Sequence, residues 1–250
     1  QNDHGTGATS SGVRWGELRM LLSGVTSLVG SGGARGGIRN LDRLSDEERA
    51  LGFREVEFQT FSLGDANRRF KENCSWDYRY TETEVARFSS FIPHVAEGID
   101  NFAQEEFRCQ STSFDGGQDF TEKNAAHIHS IALTTADYYR MVLDDTKLIW
   151  SPRSNISLYG VTADVHIFHR LGGTVALGTD WTYSGSANML RELACADAWN
   201  RDLLDGYFSD QALWEMATIN AAVSTETQAQ IGSLEVGKLA DIAVFRGGEG

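Results

Sequence analysis

The chain has 250 residues, 41% of them hydrophobic and 23% charged, with a formal net charge of -13. That length and apolar content suffice for one large core and fall in the range of a single barrel domain. The acidic balance argues against nucleic acid and anionic membrane surfaces, which are bound by a basic face, and no run approaches the roughly 18 consecutive apolar residues of a membrane span.

The sequence starts at Gln1 rather than a Met and stops at Gly250 in a Gly-rich stretch, so both ends are read as cut, with any targeting segment upstream. Residues 14–23 place Trp15, Leu18, Leu21 and Leu22 at helical spacing and predict a helix stopped by Gly24. Residues 25–29 read as a buried strand running into a Gly-rich loop, 30–37, which lacks the G-K-[ST] ending of a phosphate loop. Residues 55–63 alternate at period two and predict a second strand, and 90–97 a third, ending on His94 and Glu97. A helix follows over 99–108, and a fourth strand over 125–133. Asp137 to Leu143 read as a helix capped by Thr134 or Thr135. Residues 147–151 and 174–178 predict two more strands, the latter leading to Thr179 and Asp180. Residues 187–205 and 210–222 read as helical, and 231–246, two short apolar runs around Gly237, as a hairpin or small sheet. Short apolar runs alternating with amphipathic segments favour an α/β protein with a parallel sheet.

Three candidate ligands, His94, His129 and Asp180, fall at strand ends, with Glu97 just beyond one of them. In a parallel α/β barrel such ends converge on one face, where chemistry sits. Imidazole nitrogen and carboxylate oxygen suit zinc or ferrous iron.

The segments HVAE (94–97), HIHSIALTTAD (127–137), SPRSN (151–155), GTDW (178–181) and GSLEVGKLADIAVF (232–245) resemble, in this order, successive signatures of the amidohydrolase superfamily. They are most similar to the branch holding cytosine deaminase, guanine deaminase and the triazine hydrolases. The stretch WGELRMLLSGVTSLV (15–29) resembles the segment after the first barrel strand, so the likeness runs from Trp15 to Phe245. The resemblance implies a (β/α)8 TIM-like barrel over 1–228, truncated at its first strand, with the start of a small β-sandwich domain over 229–250. It implies that His94 is the fifth-strand metal ligand. Glu97 would be the acid that shuttles a proton to a ring nitrogen, and His129 the sixth-strand His that binds metal or holds a substrate oxygen. Asp180 would be the eighth-strand Asp that takes the proton of the attacking water. Asn155 and Trp181 would lie on the substrate side.

The sequence departs from the family pattern in two places. The first-strand His-x-His pair would lie upstream of Trp15, where residues 1–14 offer only His4, and His127-Ile-His129 sits on the wrong strand to replace it. The strand over 55–63 has no Lys to bridge two metals, and the nearest, Lys71, lies in a polar stretch. One divalent ion is therefore expected, Zn2+ first and Fe2+ second. Only two strands are convincing between residues 25 and 94, where the family has three. The implied activity is hydrolysis of non-peptide C–N bonds in a small molecule: activated water attacks a cyclic amidine or amide, or deaminates a ring. Two other readings stay open: an amide hydrolase of another branch, and a non-catalytic binding barrel. A homo-oligomer and either a cytoplasmic or an exported location also stay open.

Several residues admit a structural role beside a functional one. His127 is read as structural and facing away from the site, and His166 and His169 as an ordinary pair on a helix face. Trp150 and Trp181 either flank the site, stacking on a planar substrate, or simply pack. Asp180 and Glu97 could instead cap helices. Of three cysteines, Cys74 and Cys109 lie in loop-like polar stretches and are expected at the surface. They are read either as a disulfide in an oxidising compartment or as free thiols, and Cys195 as a buried thiol. There is no C-x-x-C pair, so a zinc ribbon is not expected.

Overall fold

The computed structural model describes residues 9–30, 33–34, 36–64 and 73–246. His4, Lys71 and part of the Gly-rich loop over 30–37 lie outside the described residues. Helix α1 (Ser10–Leu21) precedes the two-residue strands β1 (Ser27–Leu28) and β2 (Arg39–Asn40), which pair in parallel. Helix α2 (Asp46–Ala50), closed by a reciprocal Ser45–Glu48 capping box, leads to β3 (Val56–Gln59), and α3 (Glu82–Val85) leads to β4 (Ser90–Val95). Then come α4 (Asn101–Cys109), β5 (Ala126–His129), α5 (Thr135–Leu143) and β6 (Lys147–Trp150). Helices α6 (Pro152–Tyr159) and α7 (Val165–Arg170) precede β7 (Val175–Leu177). Helices α8 (Met189–Leu203), α9 (Asp210–Met216) and α10 (Ile219–Ser224) follow it.

Strands β3 to β7 form one five-stranded sheet, parallel throughout and in chain order. A hydrogen bond from Val56 N–H to the Leu41 carbonyl, 2.9 Å, ties the end of β2 to the start of β3. Parallel neighbours need a crossover, and the helices between strands supply it. The sheet is buried on both faces. Val95, Leu148, Trp150, Val175 and Leu177 pack on Phe107, Tyr138, Met141, Phe168 and Met216 of the helical layer. The other face joins Ile92, Ala126 and Ile128 to Leu41, Phe53, Ala222 and Ile231. Each fully buried side chain of this size contributes about 1.5–3 kcal/mol. Among the described residues no helix is long and apolar enough to cross a membrane.

The structure corrects several expectations. The third strand missing from the sequence reading is β2, only two residues long and set in Gly-rich chain, too short to show alternation. Helix α1 forms, but Trp15, Leu18, Leu21 and Leu22 are exposed while Glu17 and Met20 are buried. The Glu17 carboxylate accepts from Ala34 N–H at 2.6 Å and Asn40 Nδ2 at 2.9 Å, and this polar anchor decides which face turns inward. The helix over 210–222 breaks at Thr218 (φ -126, ψ -94), where Asn220 Nδ2 donates to the Val175 carbonyl at 2.9 Å. Helix α5 starts two residues earlier than expected, with Thr134 as its cap and Asp137 completing the box.

No strand forms over 231–246. Without a sheet edge to pair with, Leu234, Val236 and Val244 stay exposed. The segment is held instead by the Arg39–Asp241 ion pair at 2.7 Å and by the Phe245 ring against Trp214. Cys74 and Cys109 are joined as a disulfide, but inside a small cluster with Leu63, Trp76 and Tyr78 rather than at the surface. Cys195, expected to be buried, is partly exposed.

Candidate metal centre

Three side chains from the C-terminal ends of parallel strands meet. His94 sits near the end of β4, and its Nδ1 lies 3.1 Å from the Gln59 carbonyl at the end of β3. A carbonyl only accepts, so Nδ1 carries the proton and Nε2 keeps its lone pair. His129 is the last residue of β5, with Nδ1 2.9 Å from the Asn155 amide oxygen. Its Nε2 is buried and has no hydrogen-bond partner. Asp180 follows β7, accepts from the Ser154 hydroxyl at Oδ2, and holds that oxygen 4.0 Å from His129 Nε2. One ligand atom from each of His94, His129 and Asp180 lies within 4.8 Å of the other two.

The backbone at these ends is unusual. His129 (φ 72), Asp180 (φ 53) and Ala96 (φ 53) are left-handed without being glycine. Each such residue costs on the order of 1–3 kcal/mol, and such strain gathers where function holds a side chain in place. At Ala96 the Glu106 carboxylate accepts the backbone N–H at 2.7 Å, steadying the turn that delivers Glu97. Glu97 Oε1 accepts from the Tyr159 hydroxyl at 3.1 Å, and Oε2 lies 3.6 Å from His129 Nε2.

Burial sets the protonation. His94 is lowered to about 4, by burial first and then by His129 beside it. Burial also lowers His129. Both imidazoles are thus neutral near pH 7, the form that ligates metal. Burial raises the Glu97 carboxyl and the negative Asp180 raises it further, against the pull of His94. Burial, then Glu97, raises the Tyr159 phenol. The donor set fits a divalent ion with nitrogen and oxygen ligands: two neutral imidazoles pinned through Nδ1, a nearby carboxylate, and a buried nitrogen that no protein group satisfies.

The structure therefore brings His94, Glu97, His129 and Asp180 together. Asn155 stands apart from its expected substrate side. It is fully buried behind His129, with its oxygen on that ring and its Nδ2 donating to Thr162 at 3.0 Å. Trp181 is half exposed on the lining of an open cleft, its ring 4.5 Å from that of the exposed Tyr183. That cleft, 2080 Å3, also takes in His94 and Asp180 and runs on past Val29, Leu41, Ile128 and Ile149, far beyond what one small molecule fills. Trp150 does not flank the site: it is fully buried and donates from Nε1 to Thr162 at 2.6 Å.

His127 and His129, two apart, would share a face of a regular strand. The left-handed turn at His129 ends that alternation, and His127 packs against Phe107 with Nε2 3.2 Å from the Phe120 carbonyl. His166 and His169, both on α7, lie against Tyr207. The caps of α4 and α8 are Asp100 and Asn188, so neither Glu97 nor Asp180 caps those helices. Sequence reasoning missed Ser154, Tyr159 and Glu106. The spacing of Asn155 and Tyr159, one helical turn apart, was the available signal for the second.

Parallel strands carrying two imidazoles and a carboxylate at their ends define an α/β protein with a candidate metal centre. The chain belongs to the amidohydrolase family, whose profile matches residues 89–247. Over 122 residues it is 34% identical to a 5-methylthioadenosine/S-adenosylhomocysteine deaminase of Caldanaerobacter subterraneus, covering 47% of this chain and 28% of that protein. A protein of the same description from Clostridium tetani is 27% identical over 161 residues, 61% of this chain and 37% of its own length. The matched stretches thus span well under half of these relatives. Two solved structures share the fold. A zinc-bound adenosine deaminase from Xanthomonas campestris has a TM-score of 0.63 at 15% identity, over 92% of this chain and 60% of that one. A zinc-complexed atrazine chlorohydrolase from Arthrobacter aurescens gives 0.65 at 16%, over 92% and 62%.

Proposed function

We propose that the chain carries part of the active-site face of a metal-dependent hydrolase acting on non-peptide C–N bonds, with deamination of a ring in a small molecule as its reaction. The observation that carries this is Glu97 Oε2, 3.6 Å from the unpartnered Nε2 of His129, beside Asp180. An acid placed there serves proton transfer to a ring nitrogen, and the deaminase names of the relatives agree with it. His94 and His129 would hold the ion through Nε2, with Asp180 as the third group; Zn2+ fits first and Fe2+ second. When bound, the metal supplies Lewis-acid activation of water at neutral pH. Asp180 orients the attacking water and accepts its proton. Glu97, its carboxyl raised by burial, keeps a proton nearer neutrality and delivers it from Oε2 to the leaving or ring nitrogen. General acid–base help of this kind is worth about 10²–10⁴-fold. Trp181 offers a ring for a planar substrate.

The strands in chain order are read as part of a (β/α)8 barrel over 1–228, with 229–250 leading into a small β domain. The test is zinc content together with ammonia release from a panel of aminopurines and aminopyrimidines. Asp180→Asn is expected to abolish turnover. Cleavage of amide substrates to a carboxylate and an amine, with no ammonia released from the ring panel, would point to an amide hydrolase. Zinc binding with no hydrolysis across the panel would sink the deaminase reading and favour a binding barrel.

A further inference from the structure

Helix α6 touches every reacting group named above except His94. Its Ser154 hydroxyl donates to Asp180 Oδ2 and lies 2.9 Å from the Ser184 hydroxyl. Its Asn155 amide oxygen meets His129 Nδ1 at 2.9 Å, and its Tyr159 hydroxyl donates to Glu97 Oε1 at 3.1 Å. Those three partners come from different segments, after β7, at the end of β5 and beyond β4, yet their contacts lie within one eight-residue helix. The helix is itself anchored. Pro152 starts it, Gly160 ends it in a left-handed cap (φ 74), and its Arg153 N–H donates to the buried Glu192 carboxylate of α8 at 3.0 Å.

We propose that α6 is the positioning helix of this site: Ser154 fixes Asp180, Tyr159 fixes Glu97, and Asn155 sets the tautomer of His129. The inference rests on the reading of those three as reacting groups. The Asn155 side chain is bonded at both ends. Its Nδ2 donates to Thr162 Oγ1, which also accepts from Trp150 Nε1 and thereby uses both lone pairs. In this orientation the amide oxygen faces the ring, so His129 carries its proton on Nδ1 and presents a bare Nε2. The reversed amide would put the proton on Nε2, where it would block a metal. Partners of this kind typically tune metal affinity about 10–100-fold. Ser154, Asn155 and Tyr159 are positioning residues, acting through the groups they hold.

The test uses the full chain with 15N-labelled histidine, free of metal, and reads the His129 tautomer from long-range 1H–15N correlations. Wild type and Asn155→Asp, which keeps an acceptor on Nδ1, are expected to show Nδ1–H. Asn155→Leu is expected to lose it and to weaken zinc about 10–100-fold in competition with a chromophoric chelator. Tyr159→Phe is expected to leave zinc affinity unchanged and lower kcat about tenfold at constant KM. An Nε2–H tautomer in wild type overturns the proposal. So does Asn155→Asp behaving like Asn155→Leu, which would mark a packing role only. Should Asn155→Leu not fold, Thr162→Val releases the amide while leaving Asn155 in place. A mixed tautomer then supports the proposal, and an unchanged Nδ1–H refutes it. The tautomer and zinc measurements need no turnover, so they stand even if no substrate is hydrolysed.

Discussion

Glu97→Gln separates a proton shuttle from a metal ligand. The substitution keeps size and polarity, and the glutamine oxygen can still accept from the Tyr159 hydroxyl, now 3.1 Å from Oε1. What it removes is the titrating oxygen, Oε2, 3.6 Å from His129 Nε2. Glu97 is not among the three residues whose ligand atoms lie within 4.8 Å of one another. Losing general acid–base catalysis is expected to lower kcat about 10²–10⁴-fold, or roughly 3–5 kcal/mol at 1.36 kcal/mol per decade. Zinc affinity should change less than about tenfold, since Glu97 Oε2, 3.6 Å from His129 Nε2, neither joins the ligand set nor holds a ligand ring by a hydrogen bond as Asn155 does. Because burial raises the Glu97 carboxyl, the wild-type rate should fall as pH rises through its pKa and the proton is lost. That limb should be absent from the residual activity of the variant. The assay is kcat against pH with a zinc titration on the same preparations. Zinc loss in step with kcat would make Glu97 a ligand and refute the assignment.

Other expectations concern stability. His127 is buried and lowered to about 4 by desolvation, while an unfolded histidine titrates near 6.5. The neutral ring is fully tolerated above 6.5. As pH falls from there towards 4 the unfolded state takes up a proton that the fold refuses, at a cost on the order of 3 kcal/mol. The stability difference between wild type and His127→Gln, from urea unfolding, should shrink across that window; a pH-independent difference would contradict it. Met141, fully buried in the main core, should cost about 2–5 kcal/mol when cut to alanine, read as a fall in the urea midpoint at constant slope. Thiol titration of the denatured, unreduced chain should find one free group, Cys195; three would exclude the Cys74–Cys109 bond.

The sequence showed most clearly what periodicity and short motifs encode. The runs around Ile92, Ile128, Leu148 and Ala176 became adjacent parallel strands, and the helix after Thr134 came with its capping box. His94, His129 and Asp180 were legible because each ends an apolar run. Less legible was whatever depends on contacts distant in sequence. The inward face of α1 is set by Glu17 reaching Asn40, which no hydrophobic stripe reveals. The burial of Cys74 and Cys109 follows from aromatic rings packing over a polar-looking stretch. The motif that carries Asn155 gives its position and points to the substrate side, whereas its contacts, with His129, with Thr162 seven residues on and with Trp150 behind that, depend on the fold.

Neighbouring strands in the order the chain is made have a consequence for how the centre comes into being. Each new β-α unit can dock on the one before it, so the pairing of β4 with β5 sets the backbones of His94 and His129 side by side, and α6 then brings Asn155 to the His129 ring. Asp180 comes later, and the loop that follows it is clasped by Arg19, whose guanidinium reaches Thr182 across 163 residues at 3.2 Å. During synthesis the two imidazoles would thus come together first, the His129 ring oriented once α6 has docked, with the carboxylate supplied only when the segment after β7 packs. If the centre holds an ion as proposed, binding it would stabilise that final docking step and link the yield of folded protein to the metal available.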